Sequence, residues 1–160
     1  MNSYIAIALF NHAVFRFKLC DEVIATEHLI KAVQLVEDLK LQQVIPDLEQ
    51  FCWIVGQDIS KLGSKYFDAQ RFEEALTYYE KAHVLLKKGK PNFSHWRHLQ
   101  PYITNCFNIG YLYYQKGKFS IATDYFDTAM ACAKTSRSPY LRDIQKYYNL
   151  SKSKFEQQST

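Results

Sequence analysis

The five histidines and four cysteines are the first residues to weigh for catalysis or metal binding in this chain. His95 and His98 stand three residues apart, a spacing that can put both on one helix face. A metal site needs further ligands, and none lies nearby in the sequence, so a linker or packing role is expected for the pair. His12, His28 and His83 sit among apolar residues at helical spacing and read as structural. Cys20, Cys52, Cys106 and Cys132 form no C-x-x-C pair, and their spacing matches no zinc site. Three of them fall inside helical patterns, as reduced thiols of a cytosolic protein commonly do, and Cys20 falls at a turn. No nucleophile, base and orienting group can be assembled from the serines, cysteines and histidines. No glycine-rich phosphate loop is present either. The expectation is a protein that is not an enzyme and carries no metal and no cofactor.

Charge narrows the partners. The net charge of +4, with pI near 8.8, is spread along the chain. Its densest cluster, Lys87, Lys88 and Lys90, falls at a predicted helix end, where cations meet the negative pole of the helix dipole. Nucleic-acid binding would want a longer basic stripe or a recognisable motif. The apolar run at residues 4–10 has no basic residues before it and no small-residue cleavage site after it. Asn11, His12 and Arg16 interrupt it before it could cross a bilayer. It is expected to be a buried helix face in a cytoplasmic protein that binds neither membrane nor nucleic acid. Twelve tyrosines and eleven phenylalanines against two tryptophans suit both helix packing and a binding surface, because tyrosine can bury its ring and keep its hydroxyl wet.

The elements that position these residues are written in a repeat. Gly63, Tyr66, Phe72, Ala75, Tyr79 and Ala82 recur 47 residues later as Gly110, Tyr113, Phe119, Ala122, Phe126 and Ala129. A worn copy lies 50 residues before the first, with Ala13, Ala25, Leu29 and Ala32 in register. There Arg16 replaces the tyrosine and Glu22 the phenylalanine. Apolar periodicity predicts helices over residues 3–19, with Ser3 as N-cap, and 22–41, with a turn at Cys20 and Asp21. Pro46 and Asp47 open the next helix, which runs to Asp68. Its partner covers 72–88 and Gly89 ends it. Gly56 and Gly63 inside the first of these imply close helix–helix contact there. By symmetry the following helix starts near Ser94 and is kinked at Pro101, or else starts at Pro101. It runs to about Lys116, Gly117 turns the chain, and 119–134 completes the pair. Ser138 and Pro139 begin a last helix, 139–155, whose apolar stripe at Leu141, Ile144 and Tyr148 suits a cap. The tail, 157–160, is expected to fray.

This pattern resembles the tetratricopeptide repeat (TPR), a helix-turn-helix unit of about 34 residues. The repeats here are longer, as in the long-helix TPR domains of Gram-positive peptide-pheromone receptors of the Rap and Rgg type. The resemblance implies an all-α fold: a right-handed α-solenoid of three helix pairs, about 3–41, 46–88 and 94–136, plus the capping helix. The whole, 1–160, is one domain. It also implies a protein or peptide interaction module, and, more sharply, the sensor part of a bacterial peptide-responsive regulator. The family's groove lies on the first helix of each pair. Carried over, it gives Ile7, Phe10, Asn11, Val14, Phe17 and Lys18 in the first copy. The second gives Gln57, Ser60, Lys61, Ser64, Phe67 and Asp68, and the third Thr104, Phe107, Asn108, Tyr111, Tyr114 and Gln115. Asn108 stands out, since an amide can both donate to and accept from an extended peptide backbone. Tyr111 and Tyr114 would flank it with apolar walls. Chaperone-tail binding through several Lys, Arg and Asn residues is disfavoured, because only Lys61 and Asn108 suit it. The alternative reading is a self-associating scaffold, a homodimer held by the last helix or exposed aromatics, without a peptide ligand.

Overall fold

A computed structural model describes residues 2–38, 45, 47–90 and 96–158. Among them are seven α-helices and no strand: α1 (Asn2–Lys18), α2 (Glu22–Asp38), α3 (Leu48–Asp68), α4 (Phe72–Lys88), α5 (Trp96–Gln115), α6 (Phe119–Thr135) and α7 (Leu141–Gln158). The expected end of the second helix at residue 41, the Pro46 start, the Ser94 start, His95 and the last two residues of the tail lie outside the described residues. α1 is already helical at Asn2, one residue before the expected N-cap position. Pro101 does not open α5; it lies inside it. The last helix also runs to Gln158, past the expected end.

Helices pack mainly on their chain neighbours. The most extensive contacts join α1 to α2, α3 to α4 and α5 to α6, and α7 lies on α6. The repeat anchors explain those contacts. A Cβ built on Gly63 would stand 2.8 Å from Tyr79 Cδ1, and one on Gly110 would stand 2.9 Å from Phe126 Cδ1. The glycine on the first helix is thus the seat for the aromatic ring on the second. In the first pair the same two positions hold Ala13 and Leu29, both fully buried, so a larger seat meets a smaller occupant. Gly89 ends α4 as expected, its N–H donating to the Leu85 carbonyl, and it serves a second purpose. A Cβ there would collide with the Glu49 carbonyl oxygen and the Trp53 nitrogen, so glycine lets the end of α4 lie directly on the start of α3.

The turns repeat as well. Cys20, Gln70, Gly117 and Arg137 all have φ between 56° and 72°. In each, the next residue's N–H donates to the carbonyl five positions back: Asp21 to Arg16, Arg71 to Tyr66, Lys118 to Tyr113 and Ser138 to Ala133. This is the left-handed C-terminal turn that glycine favours, closed three times here without it. Beside two of these turns tyrosines stack, Tyr66 on Tyr78 at 4.9 Å and Tyr113 on Tyr125 at 6.2 Å. Arg71 and Lys118 lie over the Tyr66 and Tyr113 rings. In the first pair Arg16 and Asp21 occupy the corresponding positions and form an ion pair at 3.5 Å instead. The cation has moved from the turn to the helix, and its attraction is to a carboxylate rather than to a ring face.

Candidate functional site

The expected groove residues lie mostly on one face built by α3 and α5, and α7 extends it. Helical spacing puts Gln57, Ser60, Lys61 and Ser64 on one side of α3, and Gln100 and Thr104 on the facing side of α5. Together with Arg97 and Pro101 they line a cavity of about 290 Å³ between the two helices. Further along, Phe67 of α3 and Tyr111 and Gln115 of α5 line a second cavity, of about 350 Å³, with Phe72, Leu112 and the Glu73–Lys116 ion pair. Across α5, Gln100, Ile103, Thr104 and Phe107 face Tyr140, Asp143 and Ile144 around a third cavity of about 410 Å³. Asn11, exposed on α1, and Asp68, exposed at the end of α3, line none of these three.

Beneath this face runs a polar network. The Tyr79 hydroxyl, on a side chain 1% exposed, lies 3.0 Å from Ser64 Oγ, with Asn108 near enough to influence its acidity. Asn105, fully buried, donates from Nδ2 to the Tyr79 carbonyl at 3.0 Å and accepts from Ser60 Oγ at 2.9 Å. Burial raises the Tyr79 hydroxyl above its ordinary pKa, with Ser64, Asp68 and Asn108 acting as smaller influences. Ser60, Ser64 and Asn108 therefore have packing partners on α4 and α5 as well as a place on the face. Asn108 is half-buried, not an exposed amide. Gln57 donates from Nε2 to the Trp53 carbonyl at 3.3 Å, and exposed Lys61 pairs with Asp58 at 2.8 Å.

The aromatic part of the face is partly covered. Tyr147 of α7 makes ring contacts with Phe107 at 5.3 Å, Tyr111 at 5.7 Å and Tyr114 at 6.4 Å. Tyr114 also tilts against Phe119, and Phe67 meets both Phe72 and Tyr111 edge-on. The last helix thus supplies a wall of the candidate site as well as capping α6. It is fastened there by Ser151, fully buried, whose Oγ donates to the Phe119 carbonyl and accepts from Thr123 Oγ1, each at 2.9 Å.

Among the contributors that escaped the sequence reading are Asn105, Arg97, Gln100, Asp143 and Tyr147. Gln100 was within reach, being one helical turn before Thr104, but only if the helix is started before Pro101. Asn105 sits in register with apolar residues, and one polar residue in a buried stripe gives no hint of its partners.

The one close His–Cys contact among the hydrogen bonds described lies elsewhere. Cys106 Sγ is 3.5 Å from His83 Nδ1, and the His83 ring stacks on Tyr102. Burial pushes the Cys106 thiol up to about 12, with neighbouring Cys132 adding to the shift. Burial also draws His83 down to about 4, with Lys87 contributing. Both groups are neutral at pH 7, the opposite of the thiolate and protonated imidazole that a cysteine nucleophile uses. Among the described residues no group of three or more His, Cys, Asp or Glu is placed to hold a metal ion, and no helix is long and apolar enough to cross a membrane. No protein-family model matches the chain, and a search of curated proteins gives no match.

Proposed function

We propose that this chain is a TPR-like interaction module that holds an extended peptide or protein segment across α3, α5 and α7. The observation that carries the reading is the run of three cavities along one face, lined by Gln57, Lys61, Ser64, Phe67, Phe107, Tyr111 and Gln115. Half-buried aromatic rings supply apolar area, and amides and hydroxyls between them supply hydrogen bonds for a peptide backbone. The solenoid arrangement belongs to the same proposal. Its support is the repeated glycine seat, the repeated turn and the packing of helices in chain order. In the sharper form, a peptide sensor, occupancy of the face biases the relative setting of successive pairs, because the face is made from helices of different pairs.

Selection from a random peptide display library against the immobilised chain tests this. Selected peptides are expected to shift amide resonances of α3 and α5 and to lose affinity in Tyr111→Ala. A library without binders, or binders that map to the opposite side, would reject it. The scaffold reading is kept by one observation: Tyr4, Ile5 and Phe15 of α1 and Leu19 in the turn after it are all substantially exposed, Tyr4 at 77%, so the run at residues 4–10 is not the buried face expected of it. Light scattering across a dilution series decides it, since a monomer at all concentrations removes self-association.

A further inference from the structure

We infer that the segment bound on this face carries an acidic side chain and, about three residues away, a bulky apolar one, each held on its own side of α5; the inference rests on the peptide-binding reading above. The cavity between α3 and α5 contains two cationic side chains, Lys61 and Arg97, and no acidic residue among those lining it. Ser60 and Ser64 are already engaged with Asn105 and Tyr79. Lys61, Arg97, Gln100 and Thr104 also line it and carry N–H or O–H groups able to donate to an anion. Lys61 pairs with Asp58, yet an ammonium has three N–H donors and its side chain is 72% exposed, so a second carboxylate can share it.

The neighbouring cavity has the opposite character. Ile103, Phe107 and Ile144 give it apolar walls, and its charged lining residue is Asp143. A ligand carboxylate is repelled there and attracted on the α3 side, so charge sets the register. The two cavities share Gln100 and Thr104 and hence lie on either side of α5. Packed helices stand roughly 8–10 Å apart. A chain in polyproline II conformation covers that in about three residues at about 3.1 Å each, and its three-residue turn brings side chains three apart to the same side.

The test uses the full chain labelled with ¹⁵N and two blocked tetrapeptides, Asp-Ala-Ala-Phe and Phe-Ala-Ala-Asp, which cover both chain directions. Controls replace Asp by Asn or Phe by Ala. A last control, Phe-Ala-Ala-Ala with an unblocked carboxyl end, places the carboxylate at the chain terminus. One of the two acidic peptides is expected to bind about three- to five-fold tighter than its Asn control, the range of an exposed ion pair. It should bind about tenfold tighter than its Ala control, from the buried ring. The preference for Asp over Asn should vanish in Lys61→Gln, an exposed change that leaves the packing alone. Equal binding of Asp and Asn forms, a preference that survives Lys61→Gln and Arg97→Gln together, or equal binding of the terminal carboxylate would overturn the inference. If library-selected peptides still bind this face without an acidic residue, only the inference falls; if no peptide binds it, the parent reading falls too.

Discussion

The glycine seat makes a prediction whose sign sets two effects against each other. Gly63→Ala replaces a helix-interior glycine, and on propensity alone the change should stabilise by about 1 kcal/mol. The new Cβ, however, would stand 2.8 Å from Tyr79 Cδ1 and 2.9 Å from Cε1. Carbon atoms prefer roughly 3.5–4.0 Å, so the ring or the helix must give by more than about 0.6 Å. The ring is poorly able to move. It is 1% exposed, its hydroxyl is held by Ser64, and the Tyr79 carbonyl accepts from Asn105. Overpacking of this kind costs about 1–3 kcal/mol. The net expectation is a loss of about 1 kcal/mol, or about 2–4 °C in Tm for a chain of this size. Urea unfolding followed by circular dichroism gives the value, provided the m-value is unchanged. The first pair suggests the repair, since Ala13 and Leu29 hold the same positions there. In a double-mutant cycle, Gly63→Ala with Tyr79→Leu should lose less than the sum of the single changes, by about 1 kcal/mol. If Gly63→Ala instead stabilises by the full propensity gain, or if the cycle is additive, the ring is not seated on the glycine and the account of the repeat fails.

Asn105→Ala removes a fully buried amide and strands Ser60 Oγ and one lone pair of the Tyr79 carbonyl; about 1–3 kcal/mol should be lost in the same unfolding assay. Gln70→Gly relieves a left-handed backbone at φ 59° and should stabilise by about 1 kcal/mol. Cys20, exposed at its turn, should react with Ellman's reagent within the mixing phase, whereas buried Cys52 and Cys106, each pushed up to about 12 by burial, should react only as the chain unfolds. His83 titrates at 6.5 when unfolded and about 4 when folded, so between those values the unfolded chain binds more protons. Stability is then full above pH 6.5 and falls by about 1–3 kcal/mol as pH drops towards 4, a slope that His83→Phe should flatten.

What the sequence made legible and what it hid divide along a physical line. Helix positions follow from apolar periodicity because burial acts on whole faces, and the breaks at Asp68–Phe72 and Gln115–Phe119 fall where the repeat puts them. Gly56 and Gly63 were legible as contact sites, since a helix does not keep interior glycines for their propensity. Their partners, Leu86 and Tyr79, were not, because spacing alone cannot say which side chain points at which glycine. The turns at Cys20 and Gln70 were legible as breaks between helices, but their left-handed backbone, like that of Arg137, was hidden for a related reason: the residue is not glycine, so composition gives no signal. The start of α5 stayed ambiguous because Pro101 is acceptable both inside a kinked helix and at the start of one. That ambiguity hid Arg97 and Gln100, and with them the charge of the α3–α5 cavity.

The same line runs through the candidate site. Ser64 and Asn108 were read for their place on a face, yet Ser64 also hydrogen-bonds the Tyr79 hydroxyl, whose ring sits on Gly63. Tyr79 lies in the joint that ties α4 to α3 by its ring and to α5 through Asn105. If the face holds a peptide as proposed, a contact to Ser64 would couple its occupancy, through that tyrosine, to the seating of one helix pair on the next.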